Sequence, residues 1–377
     1  MKETTGYSEE SVPTVSFRQY LDQFEGKSHF YGNAAHAFYD VMIWIQKNRP
    51  KKKPNIVMPV YIPAKLYRFI LAAGFEPKFY DVPTDFNIDP NEIGSLIDDQ
   101  TQAIFAVHFF GVPVDLQPLK DLTERAGIFL IEDCAHSING YYKDKQLGST
   151  GDFTLFSTRK MMQFHCGGVL VLNSQPWKFK PSDTKRVSSS FMAYHLAGSR
   201  LKFTINNALN GYNPFRKLSL PGTGYIDLSG NHVVHVKIMD RFSEWYCKLL
   251  DVDKLVNKRR ENFLYLLNGI RNHSFIQPLG IKRYATKEKT NAYSLNKGFT
   301  PFSMPVLIPA NMREQVQQAL RNAGVVCYIG WPEAPFGKKG FQQAEKLKYG
   351  LLELPVHKYI APAQLKSMVD CLNILSP

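Results

Sequence analysis

The stretch NIVMPVYIPAKLYRFILAAGFEPKFYDV, residues 55–82, sets the pattern from which the fold is read. Residues 55–62 form a short apolar run that is typical of a buried strand, and residues 64–74 place apolar side chains at helical spacing and end in glycine. Residues 76–82 read as a second strand. A strand, a helix and a strand in immediate succession predict one βαβ unit of a parallel sheet.

The same alternation continues on both sides of this unit. Upstream, residues 33–47 predict a helix that begins at a Gly-Asn turn. Downstream, we expect helices at 91–98 and 116–127 and strands at 102–109, 128–132, 152–157 and 168–173. This order predicts an α/β fold with a mainly parallel central sheet and helices on both faces. Ligands of such sheets bind beyond the carboxyl ends of the strands.

A second, smaller α/β unit is expected towards the carboxyl end. Residues 239–270 predict a long helical segment that carries the chain away from the sheet. It is followed by predicted strands at 302–308 and 325–331 and predicted helices at 312–324 and 364–375. We therefore expect a large domain over residues 1–240 and a small carboxyl-terminal domain over residues 241–377.

Composition narrows the class of protein. The chain has 377 residues, of which 44% are hydrophobic and 21% charged, and this excludes a disordered or fibrous protein. The 5 cysteines are scattered without a C-x-x-C pair, so neither a disulfide framework nor a metal site is expected. The first residues are polar and no apolar run has the length of a membrane span. We expect a cytoplasmic protein.

The net charge of +13 favours a polyanionic partner, which could be nucleic acid, an acidic membrane surface or a phosphorylated substrate. Much of the excess lies in a Ser- and Asn-rich stretch at about 175–235, which we call the basic insertion. Its basic residues are Lys178, Lys180, Lys185, Arg186, Arg200, Lys202, Arg216 and Lys217. Interleaved apolar residues are Phe191, Met192, Tyr194, Leu196, Leu201 and Phe203.

Several polar residues stand where a parallel sheet would present them to a ligand. Lys160 lies between two strands, where desolvation would lower its pKa and make it a Schiff-base nucleophile, although most lysines are solvated surface residues. Asp133 ends a strand and could hold a protonated pyridine nitrogen or cap the next turn. His136 could contact an aromatic cofactor or be structural. The small residues at 32–35 open a helix whose free N–H groups could bind phosphate, as at any Gly-Asn turn.

The joint order of short motifs is more specific than any of these residues alone. The motifs are Pro59 after a strand, FYDV at 79–82, FNIDP at 86–90, VHFFG at 107–111, ED-x-A-H at 132–136, LGSTGD at 147–152, and Gly167-Gly168 after the lysine. In this order the chain resembles the DegT/StrS-type family of PLP-dependent sugar aminotransferases. The resemblance is strong from about 30 to 173 and looser from 238 onward.

The resemblance implies a fold-type-I transaminase whose active site lies between the two subunits of a homodimer. Lys160 would bind pyridoxal 5′-phosphate (PLP) covalently and then transfer the substrate proton. Asp133 would keep the pyridine nitrogen protonated, and His136 would lie against the cofactor ring. An amino acid, with glutamate expected, would donate nitrogen to a keto sugar carried on a nucleotide, in polysaccharide or surface-glycan biosynthesis.

The phosphate of PLP would, by the same resemblance, be held by Asn33, the amide of Ala34 and Ser157. Fewer residues than usual separate Ser157 from Lys160. Where the family often has an aromatic residue against the cofactor, this chain has Pro63, and Tyr61 is the expected substitute. The family's Asn-x-Arg motif, which lends a residue to the partner subunit's site, is only half matched by Asn213 and half matched by Arg241.

Two other functions stay open. A PLP-dependent lyase such as a sugar dehydratase is one, although the related dehydratases have histidine in place of the lysine and Lys160 argues against it. The other is a binding or regulatory protein in which the basic insertion docks on an anionic membrane or a protein partner. Nucleic acid is not an expected partner on the resemblance.

Overall fold

The computed structural model describes residues 15–162, 166–173, 179–182, 185–187, 234–334 and 336–375. Most of the basic insertion, including its apolar residues and Asn213, lies outside the described residues. Of its basic residues, Lys180, Lys185 and Arg186 are described. Across the described chain, no helix combines the length and hydrophobicity of a bilayer span.

The strands of the described chain are β1 (Ser28–Tyr31), β2 (Asn55–Pro59), β3 (Glu76–Tyr80), β4 (Thr101–Val107), β5 (Phe129–Cys134), β6 (Tyr141–Tyr142), β7 (Lys145–Gln146), β8 (Phe153–Phe156), β9 (Gly168–Leu172), β10 (Gln277–Pro278), β11 (Ala285–Lys287), β12 (Tyr293–Leu295), β13 (Ser303–Leu307) and β14 (Leu351–Pro355).

The α-helices are α1 (Phe17–Leu21), α2 (Ala34–Asn48), α3 (Ala64–Ala72), α4 (Pro90–Ser95), α5 (Gln117–Ala126), α6 (Thr158–Met161), α7 (Arg241–Lys248), α8 (Val252–Gly269), α9 (Ile281–Tyr284), α10 (Arg313–Asn322), α11 (Gln342–Gly350) and α12 (Pro362–Leu375).

The main sheet has seven strands in the order β1-β9-β8-β5-β4-β2-β3. Strands β3, β2, β4, β5 and β8 run parallel, whereas β9 is antiparallel to both of its neighbours. All residues of β2, β4, β5, β8 and β9 are buried, as expected where both faces of a parallel sheet are covered. The predicted α/β fold with a mainly parallel central sheet is confirmed.

A second, antiparallel sheet of three strands, in the order β10-β13-β14, lies entirely beyond residue 240 in sequence. Helices α10 and α11 pack against this sheet, and α12 packs against α10. The side chain of Phe302, directly before β13, stacks on the ring of His136 from the first sheet. The two sheets therefore meet at the carboxyl end of β5.

Two sequence-based expectations in this second region are wrong. The predicted helix at 239–270 is broken into α7 and α8, because the Asp251 side chain accepts a hydrogen bond from the backbone N–H of Lys254 and starts a new helix. The predicted strand at 325–331 makes only an isolated bridge, between Tyr328 and Glu353. Gly330 there has a φ of +69° and Tyr328 is 66% exposed, so the backbone leaves the extended conformation.

Candidate active site

Three of the predicted site residues meet at the carboxyl edge of the main sheet. Asp133 is near the end of β5, His136 follows in the next turn, and Lys160 lies in α6 directly after β8. Because β5 and β8 are parallel neighbours, their ends lie side by side. The Nζ atom of Lys160 is 2.8 Å from Nε2 of His136.

The hydrogen bonds of His136 fix the protonation of this pair. Its Nδ1 accepts the backbone N–H of Phe110 at 3.1 Å, so the proton of the neutral ring lies on Nε2. The Nε2–H group then donates to Nζ of Lys160, which can accept only as a neutral amine. The geometry therefore requires an unprotonated, nucleophilic lysine.

The electrostatic environment favours the same two neutral groups. Burial lowers the pKa of Lys160, and the opposing effects of the Asp133 and Glu353 carboxylates are smaller. Burial, which is the largest cause, and the charge of Arg259 lower the pKa of His136 well below its usual value. A neutral amine is the form that attacks a carbonyl carbon, and a lowered pKa favours that form.

Only one carboxylate oxygen of Asp133 is hydrogen-bonded within the described residues. Oδ1 accepts the backbone N–H of Ala135 at 2.8 Å, and no donor of the described chain reaches Oδ2. Burial raises the pKa of this carboxyl, against the opposing hydrogen bond from Ala135. A carboxylate left in this state is completed by a cationic N–H group, and a protonated ring nitrogen is such a group.

The cleft between these residues is narrow, with a free volume of about 20 Å³. Its lining residues are Ile62, Pro63, Leu66, Val107, Asp133, His136, Lys160 and Trp331. Tyr61 is not in the lining: its ring packs against Trp331 at 5.0 Å between centroids, and its hydroxyl accepts the backbone N–H of Trp331 at 3.4 Å. Trp331 thus supplies the aromatic wall, and Tyr61 supports it from behind.

Asn33 and Ala34 lie at the Gly167-Gly168 pair, and Ser157 lies at the start of α6. Asn33 caps α2 and forms a bridge with Gly167, and Ser157 caps α6 by accepting the backbone N–H of Lys160 at 3.4 Å. A Cβ atom at Gly168 would lie 2.2 Å from the backbone N of Ala34, so only glycine allows β9 to approach α2 this closely.

Two cations lie beside this end of the cleft. Burial and the charge of Arg159 lower the pKa of Lys65 to about 8. Burial and the charge of Lys65 lower the pKa of His36, in the first turn of α2, to about 4. Neither Lys65 nor Arg159 forms an ion pair within the described residues. Mutually repelling cations beside a helix N-terminus favour an anionic ligand.

Glu132, next to Asp133, belongs to a separate network behind the sheet. With His108 and Cys134 it forms a buried group whose ligand atoms lie within 4.8 Å of one another, the spacing of a metal site. However, Glu132 already accepts hydrogen bonds from Nε2 of His108 and from three backbone N–H groups of the loop at 148–151. Nδ1 of His108 accepts the backbone N–H of Val114. These contacts satisfy the carboxylate without a metal.

Four residues near Lys160 were not predicted from the sequence: Trp331, Phe302, Glu353 and Arg259. Glu353 is a buried carboxyl in β14, and its Oε2 accepts the hydroxyl of Ser303 at 3.0 Å. Burial raises its pKa to about 7, while the hydrogen bond from Ser303 opposes the rise. The sequence signal that could have found it is its place in ELPVHKY, one of the looser matches to the family.

A family model matches the part of the chain that contains Asp133, His136 and Lys160. Residues 17–194 match the model of the DegT/DnrJ/EryC1/StrS aminotransferase family. A pleiotropic regulatory protein of Geobacillus stearothermophilus is 32% identical over 108 residues, and the match covers 28% of this chain and 29% of that protein. The curated relative is therefore matched over less than a third of its own length.

Solved structures are similar over most of the chain. PseC of Helicobacter pylori, an aminotransferase involved in the biosynthesis of pseudoaminic acid, superposes with a TM-score of 0.65 at 15% identity, covering 96% of this chain and 92% of that one. The GDP-4-keto-6-deoxymannose-3-dehydratase ColD gives 0.64 at 17% identity, covering 95% and 93%. At these identities the likeness shows a fold-type-I aminotransferase fold. Residues 17–194, the part of the chain that is similar to this aminotransferase family, build most of the site.

Proposed function

We propose that this chain is a PLP-dependent aminotransferase that moves an amino group from an amino acid to a keto sugar. The observation that carries the proposal is the position of Lys160, whose Nζ lies 2.8 Å from Nε2 of His136 and in the same cleft as the Asp133 carboxylate. Aminotransferases of the matched family use this cofactor.

The residues present fit PLP in three places. The amine of Lys160 suits its aldehyde carbon, Oδ2 of Asp133 suits its ring nitrogen, and the N-terminus of α2 with Lys65 suits its phosphate. Asn33, Ala34 and Ser157 are the proposed phosphate contacts at that end. The narrow cleft requires its walls to part for a ring to enter. When bound, the group supplies an electron sink for the reaction.

The protein's own residues do the remaining work. Lys160 holds the cofactor through Nζ and afterwards moves the substrate proton as a general acid and base at the same atom. Nε2–H of His136 orients that nitrogen and keeps it unprotonated. Ile62, Pro63 and Trp331 exclude water from the reacting atoms.

The acceptor is proposed to be a nucleotide-linked keto sugar of polysaccharide or surface-glycan biosynthesis, with glutamate as the donor. The net charge of +13 supports a diphosphate-bearing substrate, which a positive field would attract. PseC, a structural neighbour, is an aminotransferase involved in the biosynthesis of pseudoaminic acid.

A homodimer is part of the proposal. Helix α7 and the residue after it expose large apolar side chains: Phe242 is 48%, Trp245 58% and Leu249 59% exposed. Apolar groups gathered on a surface mark an interaction site. Arg241, the half-match to the subunit-bridging motif, begins the same helix. We also propose the domain division at residue 240, and a cytoplasmic location that the 5 free cysteines suit.

The test is the visible absorption spectrum of the purified protein with PLP, before and after glutamate is added. We expect a band from the covalently held cofactor that bleaches with glutamate and is absent in K160A. The matched control is K78A, because Lys78 is paired with Asp98 at 2.7 Å outside the cleft and should leave the band unchanged. A wild-type protein without a band would overturn the proposal.

The second candidate is a binding or regulatory protein. It is favoured by the likeness to the pleiotropic regulatory protein of Geobacillus stearothermophilus and by the basic insertion, which could dock on an anionic membrane surface. Co-sedimentation with anionic vesicles tests the membrane version. Vesicle binding that is lost on charge reversal of Lys180, Lys185 and Arg186, in a protein that gives no band, would establish it in place of the transferase.

A further inference from the structure

Arg259, in the middle of α8, is a buried cation in an unusual environment. Its side chain is 2% exposed, and burial lowers its pKa to about 10, so the guanidinium remains charged at neutral pH. A buried charge persists only where polar groups compensate it. In the described part of the chain, every hydrogen-bond partner of Arg259 is a backbone carbonyl group.

These carbonyl groups belong to two separate segments. Nη2 donates to the carbonyl oxygen of Met161 at 2.8 Å and, more weakly, to that of Lys160 at 3.4 Å. Nη1 donates to the carbonyl oxygen of Phe302 at 2.6 Å. One planar guanidinium therefore joins the short helix that carries Lys160 to the segment that precedes β13.

The second segment reaches the site through a ring contact. The ring of Phe302 stacks face to face on His136, with 4.3 Å between centroids and 6° between the planes. His136 in turn contacts the Lys160 amine through Nε2. Arg259 thus fixes both members of the pair, Lys160 through its backbone and His136 through Phe302.

We propose that Arg259 is a positioning residue that holds the Lys160 amine against Nε2–H of His136 and so keeps that amine unprotonated and reactive. This inference deepens the proposed function of Lys160 and rests on it. If α6 and Phe302 moved apart, Nζ would lose the donated hydrogen bond that stabilises its neutral form, and protonation would become easier. Lysine at position 259 keeps the charge but lacks the planar fork that contacts two segments at once.

The neighbouring residue provides a matched control. Arg260 also donates to backbone carbonyl groups, those of Asn296 at 2.9 Å and Leu295 at 3.3 Å among them. Its partners lie in the segment at 295–299, and none of its hydrogen bonds involves Lys160, His136 or Phe302. R260K therefore makes the same chemical change as R259K without touching the Lys160–His136 pair.

The experiment measures the reactivity of Lys160 itself. Full-length protein, freed of bound aldehydes by dialysis with hydroxylamine, is labelled with acetic anhydride at a series of pH values. Mass spectrometry then gives the labelling rate of the Lys160 peptide. We expect R259K to raise the midpoint of this pH profile by about one unit, which is about tenfold slower labelling near neutral pH. R260K should leave the profile unchanged.

A folded R259K protein with the wild-type midpoint would overturn the proposal, and so would an equal shift in R260K. If R259K does not fold, F302L decides the question: a raised midpoint supports the proposal and an unchanged one overturns it. The labelling needs neither cofactor nor turnover, so failure of the aminotransferase proposal would show in the absorption spectrum and leave this result intact.

Discussion

Glu132 and Asp133 are neighbours on β5, yet their side chains point to opposite faces of the sheet and meet different partners. Glu132 accepts hydrogen bonds from His108 at 3.0 Å, Thr150 at 3.0 Å and Gly151 at 2.7 Å, and from Gly148 as well. Among the described residues, the Asp133 carboxylate accepts a single one, from Ala135. Both are buried in the same strand, so burial does not separate them.

The pKa values of the two carboxyl groups diverge accordingly. Burial would raise the pKa of Glu132, but hydrogen bonding and charge from His108, together with the N–H groups of Gly151 and Gly148, hold it below its usual value. Burial does raise the pKa of Asp133, because its compensation is incomplete. A buried carboxylate whose hydrogen bonds are all satisfied is typical of a structural group. One that lacks hydrogen-bond donors is typical of a ligand-binding group.

The largest expected effect comes from removing the Glu132 carboxylate, which is the fully hydrogen-bonded one of the two. E132A should lower the free energy of unfolding by about 3–5 kcal/mol, because it leaves His108 and three backbone N–H groups buried without an acceptor. Urea denaturation measures the loss. A change below about 1 kcal/mol would mean that this network does not hold the loop at 148–151.

Removing the charge of Asp133 should lower the catalytic activity without lowering the stability of the fold. D133N keeps the contact with Ala135 but removes the charge, so we expect kcat/KM to fall by about 10²–10³-fold. Unfolding free energy should stay the same or rise, because a neutral amide avoids the penalty of a buried charge. The isosteric control E132Q should show the reverse, with stability reduced and activity per folded molecule retained. An inactive, fully stable E132Q would contradict the assignment.

Glu353 extends the comparison to a third buried carboxyl, one with a single side-chain partner in the described chain. Its pKa is raised from 4.5 to about 7, so between these pH values the folded protein holds a proton that the unfolded chain releases. The wild type should therefore lose up to about 3 kcal/mol of stability as the pH rises from 4.5 to 7. E353Q should lack this part of the loss. Parallel unfolding curves for both proteins at pH 5 and pH 7.5 measure the difference, and equal slopes would refute it.

The smallest effect tests the weakest contact of the saturated group. The thiol of Cys134 lies 3.7 Å from Oε1 of Glu132, and thiols are weak donors. C134A should lower the unfolding free energy by about 1 kcal/mol or less, since four stronger donors remain on Glu132. Thermal denaturation of C134A and E132A in parallel compares the two losses of stability. A loss as large as that of E132A would show that the network depends on the thiol.

The sequence predicted those parts of the fold whose signals are local. Buried strands of the parallel sheet appear as apolar runs between helical segments. The Gly-Asn turn marks the start of α2, which Asn33 caps. Asp133, His136 and Lys160 were found because the carboxyl ends of parallel strands share one edge. All three line one cleft, where Nζ of Lys160 lies 2.8 Å from Nε2 of His136, and their catalytic roles stay a prediction.

The missed residues have in common that they act across the boundary between the two sheets. Arg259 lies on an ordinary amphipathic helix, and nothing in its neighbourhood along the chain distinguishes it from Arg260. Phe302 and Trp331 gain their place only when the second sheet packs against the first. The prediction of a strand at 325–331 was wrong because the apolar residues there pack individually around Gly330. They do not form a ladder of hydrogen bonds with a neighbouring strand.

Trp331 as a wall of the cleft has an optical consequence. The chain has 4 tryptophans, and of these only Trp331 is in the cleft lining of the described residues. Anything that enters the cleft must come against this indole, so its fluorescence responds to occupancy. The protein thus contains an intrinsic reporter for ligands that have no colour of their own, and W331F separates that signal from the emission of the other tryptophans.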